Sequence, residues 1–248
     1  MVAWKWTACS PWSRVDTGQR GRPSLSTYRF WGWRPRRDVD SAGTGVFLLT
    51  SLRSSLYQAR FGILVAAITY AASVSLGLAM AHAGNRFALD YRDSLVARAE
   101  RSDPAARADN AGAHAKAAVL DFSRNLGLAA IPETIGGLTL VIPVCLAAYR
   151  GWVGGIVSVD GAHRSRLRHL RSASYYLVTL FLQLSAFTLA AGAGLHLGWA
   201  FLRKRGPFVG PRWFRLPGPA LADVAQIYLL IVPLFAVGSL WEFLSPIA

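Results

Sequence analysis

Cysteine is nearly absent: only Cys9 and Cys145 occur in 248 residues. One lies in an N-terminal stretch and the other in an apolar run, so no disulfide framework is implied. The five histidines (His82, His114, His163, His169 and His196) show no metal-ligand spacing with Cys, Asp or Glu. Neither a metal nor another cofactor is expected. Acid is scarce as well, with 13 Asp and Glu against 27 Lys and Arg, a formal net charge of +14. Charged residues make up 16% of the chain, against about 25% in soluble domains. The basic excess is dispersed and no nucleic-acid module is recognisable, so nucleic acid is not an expected partner. No apolar h-region precedes Phe61, which argues against a secretory signal. Catalytic signatures are missing too: there is no HExxH, no GxSxG, no GxxxxGK[ST] and no close carboxylate pair within an apolar helix. The chain is expected not to be an enzyme.

What the sequence does contain is apolar text in long blocks. Phe61 to His82 runs for 22 residues without Asp, Glu, Lys or Arg. At about 1.5 Å per residue that crosses a hydrocarbon core of about 30 Å. Further spans are expected near 126–160, 173–202 and 221–244. The block at 126–160 reads either as one long helix or as two short ones broken near Tyr149–Gly151. The fold class is therefore all-α: a polytopic membrane bundle of four to five transmembrane helices, occupying 45–248. An interfacial helix with Phe47, Leu48, Leu52, Leu56 and Tyr57 on one face leads into it over 45–60. Residues 1–44 hold five of the nine Trp, with Arg, Pro, Gly and Ser interrupting any periodicity. They read as a disordered basic cytoplasmic tail.

Charge bears on topology. Residues 1–60 carry ten basic residues against three acidic ones, and 203–215 carry five basic and no acid. Segment 83–125 is balanced, seven basic to six acidic, while 150–171 holds five Arg. Basic loops stay on the cytoplasmic side. Four crossings leave 203–215 on the wrong side, and five move 150–171 outside.

Polar residues inside apolar runs are costly and normally find a partner or face water. Glu133, Gln183 and Glu242 are the candidates here. Gly151 with Gly155, and Gly194 with Gly198, have the four-residue spacing that lets helix backbones approach closely.

Four stretches resemble a known family. Asn125 in DFSRNL precedes an apolar span, and YRGWVGG keeps Gly151 and Gly155 of an Asn-Gly-x-x-x-Gly pattern, with Arg150 in place of Asn. LFLQLSAFTLAAGAGLHLG matches a small-residue segment, with Gln183 in place of Glu and Ser185 in place of Pro. WEFLSP supplies Glu242, Phe243 and Pro246. In this order, across about residues 60–248, they resemble the stage II sporulation protein M family of bacterial membrane proteins. The resemblance implies about five spans in the bacterial inner membrane. It also implies a non-catalytic scaffold or anchor for an envelope complex, one that in spore formers remodels peptidoglycan. The expected partners are the lipid bilayer and other membrane or envelope proteins, with a homo-oligomer left open. The alternative is a transporter subunit working with a separate ATPase or as an oligomeric pore.

Overall fold

The computed structural model describes residues 44–203, 212–213 and 216–245. The expected N-terminal tail, apart from Thr44, lies outside them. The described chain is helical apart from its connections and a two-residue antiparallel ladder, Arg212–Trp213 with Leu216–Pro217.

Helix α1 (Thr44–His82) is a single helix of 39 residues. The separate interfacial lead-in over 45–60 is therefore not observed. No Pro or Gly separates Leu48 from Phe61, so nothing ends the first turns before the apolar run begins. At Gly84 the backbone turns left-handed (φ 68°), and Asn85 then caps the next helix by accepting from the Ala88 N–H at 3.2 Å. Three short helices follow: α2 (Arg86–Ser102), α3 (Pro104–Asn110) and α4 (His114–Ser123).

The block expected at 126–160 breaks, but not at Tyr149–Gly151, which lies inside a regular helix. Arg124–Ala130 is wound as a π-helix, α5 covers Ile131–Gly136, and a 3₁₀ turn covers Gly137–Thr139. Leu140 then takes a left-handed conformation (φ 61°) and α6 (Val141–Ile156) begins. Two consecutive glycines loosen the chain there, and Pro143 suits only the first turn of a new helix. Helices α7 (Leu170–Leu202) and α8 (Gly218–Leu244) complete the fold.

Contacts along the helices fix their directions. Gly151 lies against Tyr70 and Ser73, and Gly155 against Val74 and Leu78, so α6 runs parallel to α1. Gly192 lies beside Ile63 while Leu180 reaches Gly154, so α7 runs the other way. Helix α8 turns back again: its start joins Ser55 of α1 through Asp223 at 2.7 Å, and its end joins Gln183 through Glu242. The chain from α4 to α5 descends from the level of Ser239 to that of Gly198, and α6 climbs back.

The bundle thus has two ends. One gathers the start of α1, the Gly136–Leu140 tip, the end of α7 and the start of α8. The other gathers His82, α2 to α4, the 157–169 loop and the end of α8. At this second end His82 Nε2 meets Ser165 Oγ at 2.8 Å, and His163 Nε2 meets Asp93 at 2.9 Å.

Among the described residues three helices are long and apolar enough to cross a membrane: Leu49–His82, Leu170–Leu202 and Gly218–Leu244, with Val141–Ile156 shorter. Large apolar side chains such as Phe61, Ile68, Phe181 and Leu229 point outward, as a lipid solvent permits. Small residues fill the inside, with Ala186, Ala190 and Ala193 of α7 packed on Ile227, Ile231 and Phe235 of α8.

Candidate functional site

The interior of the bundle carries a lattice of polar side chains, and Glu133 is its deepest member. It stands in the first turn of α5 with its side chain fully buried. Arg150, 17 residues later on α6, donates from Nη1 to Glu133 Oε2. The same guanidinium lies over the Phe187 ring, 4.0 Å from its centroid, a favourable placement for a cation. The π-turn and the Gly136–Leu140 reversal bring the two charges face to face. The Tyr70 hydroxyl lies beside the same carboxylate.

Nearer the charged end, Asp121 accepts from Asn125 Nδ2 at 2.9 Å and from Ser239 Oγ at 2.8 Å. Arg124 pairs with Asp103 and stands 3.9 Å from Asp121. Across the cavity, Gln183 Nε2 donates to Glu242 Oε2 at 2.5 Å, and the Tyr175 hydroxyl donates to the Glu242 carbonyl at 2.7 Å. All three intramembrane candidates therefore have partners, as buried polar groups require. Asn125, Arg150, Gln183 and Glu242 line one cavity of about 470 Å³ between the π-segment, α6, α7 and α8. Phe243 lies just beyond it, beside Tyr175. Pro246 is outside the described residues.

The glycines lie elsewhere. At Gly151 an added Cβ would stand 2.9 Å from the Tyr70 carbonyl oxygen, and at Gly155 it would collide with that of Val74. At Gly194 it would meet the Thr134 carbonyl oxygen at 2.9 Å, and at Gly198 it would collide with that of Gly137. The first pair seats α6 on α1, and the second seats α7 on the α5 tip.

Two groups escaped the reading of the sequence. Asp121 lay in a segment read as polar surface. Asp223 and His196 form a buried pair at 3.3 Å, with Ser55 on the other Asp223 oxygen. Arg150 was read as a departure from a motif and as one of the five Arg of the 150–171 loop. Its one signal was a lone cation in an apolar block, 126–159, that holds the single acid Glu133.

Outside the bundle, Asp93 is held below the usual carboxylate range by hydrogen bonds, first from Arg92 and then from His163. Asp160 is also lowered, chiefly by the backbone N–H of Arg164. Both brace the charged end.

These features define an all-helical membrane protein whose polar residues are gathered inside the helix bundle. Residues 61–246 match the family Stage II sporulation protein M. The match covers most of the chain, which belongs to this family. Neither the curated proteins nor the solved structures give a match.

Proposed function

We propose that the protein is a non-catalytic platform of the bacterial inner membrane that holds envelope proteins, cell-wall hydrolases among them, at its charged end. The observation that carries this reading is the cap formed by α2 to α4. It is clasped to the bundle through Asp93–His163 and Asp103–Arg124, and it leaves Asp90, Arg98, Glu100 and Arg101 exposed. A braced surface of mixed charge suits protein recognition. The buried lattice suits a scaffold, because its carboxylates are engaged with neighbouring side chains.

The proposal includes five crossings: α1, the α4–α5 descent, α6, α7 and α8. That count puts residues 1–60 and 203–215 on one side and 83–125 with 157–169 on the other. The two strongly basic segments then share the cytoplasmic side. The four arginines of 157–171 face out, beside Asp93 and Asp160. Single cysteines at Ala162 and Arg203, in a chain with Cys9 and Cys145 replaced by Ser, test this in intact cells. An impermeant thiol reagent is expected to label Ala162→Cys alone. Labelling of both positions, or of Arg203→Cys alone, overturns the five-crossing arrangement.

For the function, crosslinking in native membranes followed by affinity capture and mass spectrometry is expected to recover cell-wall hydrolases or envelope-assembly proteins. Deleting 86–112 should abolish capture while membrane insertion persists. Recovery of a nucleotide-binding ATPase would overturn the platform in favour of transport.

A further inference from the structure

The 470 Å³ cavity has a feature that the lattice does not use. Three arginines line it, Arg124, Arg150 and Arg166, against one lining carboxylate, that of Glu242. Arg124 and Arg150 are each engaged through Nη1, with Asp103 and Glu133, which leaves most of their five N–H donors unused. Arg166, in the short turn before α7, has no carboxylate and no hydrogen-bond acceptor for its guanidinium among the described residues. Deeper in the same cavity, the Thr179 hydroxyl is buried without a partner. Glu242 is already occupied as the acceptor of Gln183. The unused groups are thus the Arg166 guanidinium, the remaining N–H donors of Arg124 and Arg150, and a hydroxyl, and the group that answers them is an anion rich in acceptor oxygens.

A second observation says what else the ligand carries. An apolar groove of about 670 Å³, lined by Ala67 of α1 and by Leu177, Phe181 and Leu189 of α7, lies on the outer face of the bundle. Leu180 and Leu184 line both the groove and the cavity, so the two spaces share a wall. Phe181 and Leu177 are exposed on this face, where only hydrocarbon would meet them in a membrane. The ligand that fills both spaces has an anionic head and an apolar tail.

We propose that the cavity and groove together bind a phosphate-headed lipid, its phosphate among Arg166, Arg150 and Arg124 and its chain along Leu180 and Leu184. Basic pockets between membrane helices hold lipid phosphates in this way, and the cavity is within the usual range for a ligand site. The site needs only the helix bundle, and it stands or falls independently of the platform.

The test uses the full chain in phosphatidylcholine nanodiscs, titrated with phosphatidylglycerol and, separately, with diacylglycerol, bound lipid being counted by native mass spectrometry. The wild type is expected to retain phosphatidylglycerol over diacylglycerol. R166Q, at a partly buried position in the turn before α7, should bind phosphatidylglycerol about fivefold more weakly. Thr179→Val, isosteric, should weaken binding by a smaller factor. A melting temperature for each variant separates lost binding from lost fold. Equal retention of the two lipids, or undiminished phosphatidylglycerol binding in R166Q, overturns the proposal. Soluble glycerol phosphate is the last arm: if it binds as tightly as the lipid, the lipid assignment is overturned and the cavity is a site for free phosphate.

Discussion

Two helix contacts in this bundle are made by opposite means. Where α6 meets α1, side chains are missing: Gly77, Gly151 and Gly155 bring the two backbones together, and Trp152 reaches over to Met80, its indole N–H 3.4 Å from the sulfur. Where α4 and α5 meet the rest, polar side chains are added to the close approach of the α5 tip to Gly194 and Gly198: Asp121 with Ser239, Thr134 with the Ala190 carbonyl, Glu133 with Arg150. The difference follows from what a bilayer supplies. Lipid gives no hydrophobic drive for two helices to associate, so contact must come from close packing or from polar groups with no better partner. Packing suffices for a regular helix such as α6. The α4–α5 stretch is wound in π and 3₁₀ turns, and its irregular backbone is held by hydrogen bonds that the apolar residues around it cannot provide.

The largest effect should come from the polar side. Arg150→Ala leaves Glu133 charged and alone, and breaking such a buried pair costs about 3–5 kcal/mol. Reversible unfolding in mixed detergent is the measurement. Adding Glu133→Gln should return part of the loss, because the stranded charge is gone; a double variant no more stable than Arg150→Ala would show that the ion pair is not the source.

Less should be lost on the steric side. Gly155→Ala drives a methyl into the Val74 carbonyl and the Leu78 amide. Backbone atoms yield little, and overpacking of this kind costs about 1–3 kcal/mol. Gly127, where an added Cβ meets nothing within 4 Å, is the control: Gly127→Ala should be neutral to stabilising, since a helical Gly is about 1 kcal/mol worse than Ala. An equal loss at both positions would remove the contrast between the two contacts.

The two modes also differ in how well they can be read in a sequence. Three of the spans are visible as apolar runs, because length and lack of charge are all that a long membrane helix requires. The glycine spacing was visible for the same reason, being local to one helix. The polar lattice was not. Ser239 and Asp121 are 118 residues apart, and Ser55 and Asp223 are 168 apart. Nothing in a one-dimensional pattern joins them, and Asp121 in particular sits among charges that read as solvent-exposed. The break after Gly136 was missed because its cause is a left-handed Leu140, a conformation that no residue preference announces. Arg150 and Glu133 were both noticed, but each was weighed alone.

A smaller effect is expected from Ser239→Ala, which takes one hydrogen bond from Asp121 and leaves that of Asn125, with the Arg124 guanidinium 3.9 Å away. Single interhelical hydrogen bonds in membranes contribute about 0.6 kcal/mol on average. A loss well above about 2 kcal/mol in the same unfolding assay would mean that Ser239 holds α8 through more than this bond.

The smallest effect lies outside the bilayer and depends on pH. Asp93 titrates below its ordinary range in the folded protein, so its contribution is complete above the ordinary carboxylate range and is lost as pH falls through the lowered value. Asp93 is half-exposed, and such surface pairs are weak, so the bundle itself should survive. What should loosen is the contact between α2 and the 157–169 loop. Amide hydrogen exchange at His163 and Ser165 is the readout, its rate relative to the intrinsic rate at each pH expected to quicken at acid pH in the wild type. In Asp93→Asn it should already be fast near neutrality, with little further change on acidification. If exchange there ignores both pH and the substitution, the 157–169 loop is held by the His82–Ser165 contact and by its own packing, and the Asp93–His163 clasp contributes nothing to it.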